Sequence, residues 1–286
     1  MSWTGNSDAS PTARIATVRN ALLPSEEKFI QLLLDDPAAA VENTAQEIAD
    51  RAGVARSTVI RACQRLGYRG YPQLRVALTR ELAQTEARTV TYEEGALGRI
   101  RADVDALAAA LPHITAALDS DGLDTAITRI SAARRLLVVA NGLSSAQASD
   151  LAMRLTAVGR PSEYVADAIG QQIAARGLAP DDACVVISGS GANESTLRSA
   201  RAVRASGAHL IAVTSFAQSP LVELADNAIV VAPATGSFRH ELEHTSRVSH
   251  TILLESLVGL VASDLGETAD HTRALVLDVL SDNLSE

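Results

Sequence analysis

Two short segments, each placed after an apolar run, combine serine with glycine. They are NGLSSAQASD from Asn141 and SGSGANEST from Ser188. Serine hydroxyls, free backbone N–H groups and the positive end of a following helix would converge there, an arrangement that suits an anion such as phosphate. The candidate ligands of that anion are Ser144, Ser145, Ser188, Ser190 and Asn193. The alternative is that these side chains only cap the helices that follow.

The common nucleotide-binding patterns do not fit these loops. GSGANE departs from G-x-G-x-x-G at its last position, which disfavours a dinucleotide site. A P-loop requires G-K-[ST], and the only lysine of the chain is Lys28. The loops therefore predict a phosphate site of another type, and no cofactor is expected.

A zinc-protease pattern stands near the C-terminus. Residues 240–250 are HELEHTSRVSH, in which H-E-x-x-H is followed by a third histidine. On a continuing helix, His250 would lie about 9 Å beyond His244 along the axis and on another face. Metzincin proteases break this helix with a glycine, where this chain has Arg247, and they need a later methionine, which this chain lacks. We expect no metal site, and zinc hydrolysis stays open as an alternative.

This acidic chain contains one strongly basic stretch. The formal net charge is −9, yet residues 51–80 hold seven arginines and no Asp or Glu, so the remaining residues carry −16. Such segregation is typical of a surface that binds the phosphate backbone of a nucleic acid. The alternative is a solvated, arginine-rich helix pair.

Within that stretch the spacing predicts a helix-turn-helix, with helices over residues 45–52 and 56–66 and a tight turn at Gly53. The residues spaced to pack the two helices together are Ile48, Ala52, Val54, Val59 and Ala62. One side of the second helix is then left exposed, where arginine can pair with guanine edges and Ser or Thr with phosphates or bases. The residues expected there are Arg56, Ser57, Thr58, Arg61 and Arg65.

The second half of the chain alternates apolar runs with helical patterns. The candidate strands are residues 135–140, 161–165, 183–188, 209–214 and 227–232. This alternation is typical of a parallel sheet covered on both faces, which binds ligands at the carboxyl ends of its strands. A helix containing Ile100, Val104 and Leu107 is expected before this domain, and one long helix over about 240–265 is expected to close it.

Composition indicates a cytoplasmic protein without membrane contact. Cys63 and Cys184 form no C-x-x-C motif, which fits a reducing compartment. The first 20 residues are polar and predict a flexible tail rather than a signal peptide. The apolar stretch 252–262 is interrupted by Glu255 and is too short to span a bilayer.

The segment from Leu22 to Leu78 resembles the N-terminal DNA-binding domain of the RpiR family of bacterial transcription regulators. LLPSE, EIA at 47–49, GV at 53–54, STV at 57–59 and LGYRGYPQLR at 66–75 match the pattern of the family. Ala55 and Ala62 stand where a serine and an aromatic residue are common. The resemblance implies binding to double-stranded DNA, and the DNA-binding candidates also include Arg69 and Tyr71 in LGYRGYPQLR.

The serine loops are similar to the two motifs of the SIS (sugar isomerase) domain, which usually follows the RpiR-type DNA-binding domain. The resemblance implies that the serines and Asn193 hold the phosphate of a phosphosugar. Leu143 and Asn193 stand where the family usually has glycine and threonine. FRHELE at 238–243 resembles the start of the last long helix of the family, and it implies that Glu241 accepts hydrogen bonds from sugar hydroxyls.

These observations predict a two-domain α+β chain: an all-α helix-turn-helix domain, and an α/β domain with a five-stranded parallel sheet of SIS, flavodoxin-like type. The expected ranges are a flexible tail (1–20), the DNA-binding domain (21–83), a linker and helix (84–120) and the SIS domain (121–286). We expect a homodimeric or homotetrameric transcriptional regulator, a repressor of carbohydrate-metabolism genes controlled by a phosphosugar effector, and not an enzyme. The alternative is a phosphosugar isomerase that uses Glu241 as its base.

Overall fold

The computed structural model describes residues 3, 5, 8–86, 92–233 and 247–284, without the side chains of 83–86. The chain forms two compact units, one comprising residues 1–118 with 232–246 and the other 119–231 with 247–286. Each unit has a hydrophobic core of its own.

The described elements of the first unit are helical. They are α1 (Pro11–Val18), α2 (Pro24–Asp35), α3 (Pro37–Glu42), α4 (Ala45–Ala52), α5 (Arg56–Arg65), α6 (Tyr71–Glu86) and α7 (Ala96–Ala110). The predicted helix-turn-helix is confirmed as α4 and α5, and α5 ends one residue earlier than predicted. Of the five residues expected to join these helices, Ile48, Val59 and Ala62 are fully buried. The other two, Ala52 and Val54, are half-buried.

The prediction of a flexible tail is wrong for residues 11–18, which form α1. Ser10 caps this helix by accepting a hydrogen bond from the Ala13 N–H at 3.3 Å, and Pro11 suits its first position. Ile15 and Val18 are buried in the core of the unit. Their burial stabilises a helix that would be too short to persist alone.

Capping interactions fix the start and the end of α4. The Thr44 hydroxyl accepts from the Glu47 N–H at 3.3 Å, and the Glu47 carboxylate accepts from the Thr44 N–H at 2.8 Å. These hydrogen bonds hold the pKa of Glu47 below its ordinary value. Gly53 ends the helix at φ 64°, a left-handed conformation that glycine adopts at no steric cost. The turn between α4 and α5 is therefore specified locally.

Aromatic and aliphatic side chains from α2, α4, α5 and α6 meet in the core of the first unit. Phe29, Ile48, Val59 and Leu74 are fully buried. The rings of Phe29 and Tyr71 lie 6.2 Å apart between centroids in a tilted arrangement. This core holds the DNA-binding candidates of α5 at a fixed orientation.

The second unit contains a five-stranded parallel sheet in the order β2-β1-β3-β4-β5. The strands are β1 (Leu136–Ala140), β2 (Glu163–Tyr164), β3 (Ala183–Ile187), β4 (His209–Thr214) and β5 (Asn227–Val230). The helices are α8 (Ser120–Ala132), α9 (Ser145–Ala157), α10 (Ala168–Arg176), α11 (Glu194–Ser206), α12 (Pro220–Leu224), α13 (Val248–Leu265) and α14 (Glu267–Asn283). All five predicted strands are confirmed, although β2 has only two residues.

The strand order places a topological switch point between β1 and β3. The chain leaves β1 toward β2 on one side and returns to β3 on the other, so the connections diverge and leave a crevice at the carboxyl ends. Ala140 pairs with Ile187, the last residues of the two strands. Both serine loops therefore begin side by side at this crevice.

One helix among the described residues, α13, is long and apolar enough to cross a membrane. Its Leu253, Leu254, Leu257 and Val261 are buried, and it packs on α8 and α9. α13 is therefore a core helix of the second unit. The predicted start of this helix, residues 240–246, lies outside the described residues. The helix that follows, α14, was not predicted, and it exposes more than half of Leu275, Leu277 and Leu280.

Replacing Ala55 with serine should stabilise the first unit. Ala55 is the N-cap of α5, has the extended backbone of a cap (φ −71°, ψ 146°) and offers no side-chain acceptor. Ala55→Ser should raise the free energy of unfolding by about 0.5–2 kcal/mol, measured by urea denaturation. Gln64→Ser, at an exposed position inside α5, is the matched control and should give no gain. Equal effects of the two substitutions would contradict the capping role.

Candidate functional site

The exposed side of α5 is the surface on which DNA-binding side chains were predicted. Arg56, Ser57 and Arg61 are exposed there, and Arg69 is exposed beyond the end of the helix. Gln64 is exposed on the same side and was missed, although its position seven residues after Ser57 is the helical repeat that could have found it. Arginine, serine and glutamine supply both phosphate contacts and base-edge contacts.

Two of the predicted DNA-binding residues are buried, and the expectation that they are accessible is wrong. Thr58 is only 4% exposed, because it lies on the side of α5 that faces the core. Tyr71 is 3% exposed, and its hydroxyl donates to the Ala40 carbonyl at 2.6 Å. Burial raises the pKa of Tyr71 to about 12. Both side chains hold the unit together from within.

Arg65 was also expected on the exposed side, but it forms an internal ion pair. Its Nε lies 3.2 Å from Glu26 Oε2, and the Glu26 side chain is only 1% exposed. The same carboxylate oxygen accepts from the Leu23 N–H at 3.0 Å at the start of α2. A buried carboxylate needs a nearby cation, so the role of Arg65 is to stabilise the fold.

The first serine loop, after β1, turns directly into α9. Gly142 has φ 63°, and residues 142–144 form a single tight turn before the helix begins at Ser145. Ser144 is 4% exposed, and Ser145 is half-buried with its hydroxyl 3.5 Å from the Ala140 carbonyl. The loop thus places two serines at the N-terminus of a 13-residue helix.

The second serine loop, after β3, combines a buried and a more open serine. Ser188 is 4% exposed, whereas Ser190 is half-buried and accepts from the Ala192 N–H at 3.3 Å. Asn193 is exposed and caps α11, since its Oδ1 accepts from the Thr196 N–H at 3.1 Å. At Gly191, φ is 63° and a Cβ atom would collide with the Ser219 hydroxyl. Only glycine fits there.

A polar bridge that the sequence did not reveal joins the two loops. Asn141 Nδ2 donates to Gln171 Oε1 at 2.9 Å and to Thr196 Oγ1 at 3.2 Å. Gln171 is fully buried and donates to the carbonyls of Ala140 and Val165, both at 2.8 Å. The network connects the end of β1, α10 and the first turn of α11. The one sequence signal for this role of Asn141 is its position directly after the strand.

Arg247 contacts the second serine loop and was also missed. A Cβ atom built on Gly189 would lie 2.8 Å from Arg247 Cζ and 2.9 and 3.0 Å from its two Nη atoms. Because the three distances are nearly equal, the guanidinium lies flat against the Gly189 Cα. The serine loops, residues 141–145 and 188–193, contain no charged residue, so Arg247 brings positive charge to an otherwise neutral site.

His250 lies one turn after Arg247 on α13 and is 1% exposed. Its Nε2 is 3.5 Å from the hydroxyl of Ser215, whose N–H donates to the Gly189 carbonyl at 3.0 Å. Burial, and then the charge of Arg247, lower the pKa of His250 to about 3. His250 is therefore a neutral support beneath the loop at physiological pH.

The remaining predicted ligand, Glu241, lies outside the described residues, as do His240 and His244. Within the described ranges, no group of His, Cys, Asp or Glu side chains could hold a metal ion. Both cysteines are buried, and burial raises the pKa of Cys63 to about 12. Neither thiol is poised for nucleophilic chemistry.

Two family models match the chain, and they match in the order in which the two units occur. The model described as "Helix-turn-helix domain, rpiR family" covers residues 12–85, and the model described as "SIS domain" covers residues 129–257. The chain belongs to the RpiR family of transcriptional regulators. The two serine loops lie inside the SIS match, and α4 and α5 lie inside the match to the DNA-binding domain.

Known relatives of this RpiR-family chain include the HTH-type transcriptional regulator YfhH of Escherichia coli, at 27% identity over 92% of this chain and 97% of YfhH. Another is the bifunctional protein glk of Paraburkholderia xenovorans, at 28% identity over 97% of this chain. The chain spans about half the length of that relative, 46%.

Solved structures share the fold of this RpiR-family chain. Vibrio vulnificus NanR complexed with ManNAc-6P has a TM-score of 0.60 at 20% identity and covers 96% of this chain and 99% of NanR. A putative sugar-phosphate isomerase from Listeria monocytogenes has a TM-score of 0.53 at 19% identity and covers 63% of this chain and 95% of its own. The predicted SIS-type, flavodoxin-like sheet is therefore confirmed.

Arg61 and Arg65 should respond differently to replacement. Arg61→Ala should weaken binding to a duplex selected from a random pool by about 1–3 kcal/mol in gel shifts, with the free energy of unfolding nearly unchanged. Arg65→Ala should lower the free energy of unfolding by about 1–3 kcal/mol, because Glu26 stays buried without its cation. Full stability of Arg65→Ala in urea would contradict the internal ion pair.

Acid should destabilise the second unit through His250. Its pKa is 6.5 ordinarily and about 3 in the fold, so between these values the unfolded chain binds a proton that the folded chain does not. The contribution of His250 to the free energy of unfolding is therefore fully present above pH 6.5. It falls as the pH drops toward 3, by up to about 1.4 kcal/mol per pH unit.

His250→Gln should flatten that dependence when urea unfolding is measured at about pH 7.5, 6 and 4.5. His271→Gln, on an exposed histidine of α14, is the matched control and should keep the slope of the original chain. If His250→Gln also keeps that slope, the histidine does not remain neutral in the fold.

Proposed function

We propose that the chain is a DNA-binding transcriptional repressor whose affinity for operator DNA is controlled by a phosphosugar bound at the two serine loops. The observation that carries this proposal is the presence, in one chain, of a basic helix-turn-helix surface and of two serine loops that begin side by side at a sheet switch point. The regulated genes are expected to belong to carbohydrate metabolism.

The DNA-binding surface comprises the exposed residues of α5 and the loop after it. Arg61 and Gln64, on the open side of α5, contact base edges in the major groove. Arg56, Ser57 and Arg69 contact backbone phosphates and fix the register of the helix. Thr58, Arg65 and Tyr71 support this surface from inside and do not reach the DNA.

The effector site takes the phosphate group of a sugar phosphate. The hydroxyls of Ser144, Ser145 and Ser190, with the N–H groups at the starts of α9 and α11, surround the anion, and Arg247 offsets its charge. Asn193 orients α11 as its cap rather than contacting phosphate directly. Glu241 accepts hydrogen bonds from the sugar. The complex of NanR with ManNAc-6P supports this class of ligand.

Control of DNA affinity requires that the effector bind two states of the regulator unequally. Repression is relieved when the effector binds more tightly to the state of the regulator that binds DNA less well. We expect a homodimer or homotetramer in the cytoplasm, because an operator is read as two half-sites by two copies of the helix-turn-helix.

A phosphosugar isomerase is the second candidate, favoured by the fold that the chain shares with a putative sugar-phosphate isomerase. The same crevice would hold the substrate, and Glu241 would act as the base. His250 does not suit the role of a ring-opening acid, because it is buried and stays neutral above pH 3. An isomerase also has no use for a basic helix-turn-helix, so the regulator is preferred.

Fluorescence anisotropy with the selected duplex tests the function directly. The DNA affinity is titrated against hexose 6-phosphates, their N-acetylamino derivatives and pentose 5-phosphates, with the unphosphorylated sugars as controls. We expect one phosphate ester to weaken DNA binding at least about tenfold, which is a coupling free energy of about 1.4 kcal/mol. No change with any ester would reject the effector role, and conversion of an ester to its isomer would favour the enzyme.

Substitutions at the loops should remove the effector response and spare DNA binding. Ser190→Ala and Arg247→Gln should each weaken binding of the active ester at least about tenfold, since a hydrogen bond to a charged group contributes about 1.5–3 kcal/mol. Isothermal titration measures this. Ser256→Ala, on an exposed residue of α13, is the control and should bind normally. Normal affinity in both loop variants would contradict binding of the phosphate group in this crevice.

A further inference from the structure

α7 carries an apolar stripe that no described residue of the chain covers. Leu97, Ile100 and Val104 are 55, 58 and 57% exposed, and Leu107 is half-buried. Their separations of three, four and three residues are the a and d positions of a heptad repeat. Single exposed leucines are ordinary, but a contiguous stripe with this spacing is typical of a helix that pairs with another helix.

The opposite face of α7 belongs to the first unit. Ala106, Ala109 and Ala110 line a cavity of about 360 Å³ together with residues of α1, α2 and α6. At 100° per residue, these alanines lie on the other side of the helix from Leu97, Ile100 and Val104. Small side chains therefore face the helix's own unit, and the large apolar ones point away from it.

We propose that this stripe pairs with the same stripe of a second copy of the chain, the two α7 helices running parallel. In a parallel pair each a or d residue meets its own copy, so Val104 lies opposite the partner's Val104. Arg101 and Asp103, which flank the stripe, then face alanines of the other helix at positions 96 and 108. No like charges are brought together.

An antiparallel pair is disfavoured by the same charges. Setting Ile100 against the partner's Val104 brings Arg101 next to the partner's Arg101 and Asp103 next to the partner's Asp103. Like charges facing each other across a helix pair are destabilising.

The direction of pairing matches what DNA binding needs. The helix-turn-helix precedes α7 in each chain, so a parallel pair brings both DNA-binding domains to the same end of the two helices. A two-fold axis along the pair then relates the two copies of α5, as a pair of operator half-sites requires. The inference concerns assembly and does not depend on the identity of the effector.

A single cysteine introduced at position 104 tests the contact in the full-length chain. Both native cysteines, Cys63 and Cys184, are buried, so the new thiol is the accessible one. Under mild oxidation, Val104→Cys should give a covalent dimer as the main species on a non-reducing gel. Arg99→Cys, exposed on a different side of α7, is the matched control and should stay largely monomeric.

Other outcomes would overturn the proposal. Equal cross-linking of the two variants would mean that the two copies do not pair through the stripe. Cross-linking only between Ile100→Cys and Val104→Cys chains would mean an antiparallel pair. In sedimentation, the double substitution Ile100→Ser and Val104→Ser should weaken self-association at least about tenfold. The melting temperature should be unchanged at concentrations where the chain is monomeric, since both side chains are exposed in the single chain. Unchanged self-association would argue against the contact.

Discussion

The crevice between the two serine loops depends on one side-chain amide, that of Asn141. It donates to Gln171 and to Thr196, and so fixes the end of β1 against α10 and the first turn of α11. Gln171 completes the network by donating to the carbonyls of Ala140 and Val165. Since buried amides are costly unless every strong donor and acceptor is paired, removing one member would strand the others. Together with the pairing of β1 and β3, this network holds the two serine loops at a fixed separation.

The DNA-binding unit is stabilised by a different device, a carboxylate buried under a cation. Residues 51–80 contain no acid, but α2 and the residue that follows it supply acids to their arginines from outside the stretch. Arg65 pairs with Glu26, and Arg51 pairs with Asp36 at 3.0 Å. The Asp36 pair is exposed on both sides and contributes little, whereas Glu26 is buried and depends on its partner. The basic stretch therefore divides into arginines that hold the fold and arginines that remain available to a ligand.

Much of the architecture could be predicted from the sequence because its signals are local. Continuous apolar runs located β1, β3, β4 and β5, and Gly53 marked the end of α4. The buried side of a single helix was harder to predict. Thr58 is buried because α5 packs against α2 and α6 as well as against α4. α1 was missed because its capping signal, Ser10-Pro11, is short and its apolar residues need the rest of the unit. Arg247 and Asn141 act across the fold, and no spacing in the sequence shows such contacts.

The two proposed phosphate sites would recognise the same chemical group by different physical means. On α5 the donors are exposed guanidinium groups, which displace counterions from DNA, so their contribution weakens steeply as salt increases. In the crevice the loops are uncharged, and recognition rests on hydroxyls and on N–H groups at helix starts, with Arg247 packed against Gly189. Such donors are oriented before the ligand arrives and are screened less. A single free phosphate group would then be held by geometry in the crevice and only weakly by α5, where strong binding requires the many phosphates of a duplex.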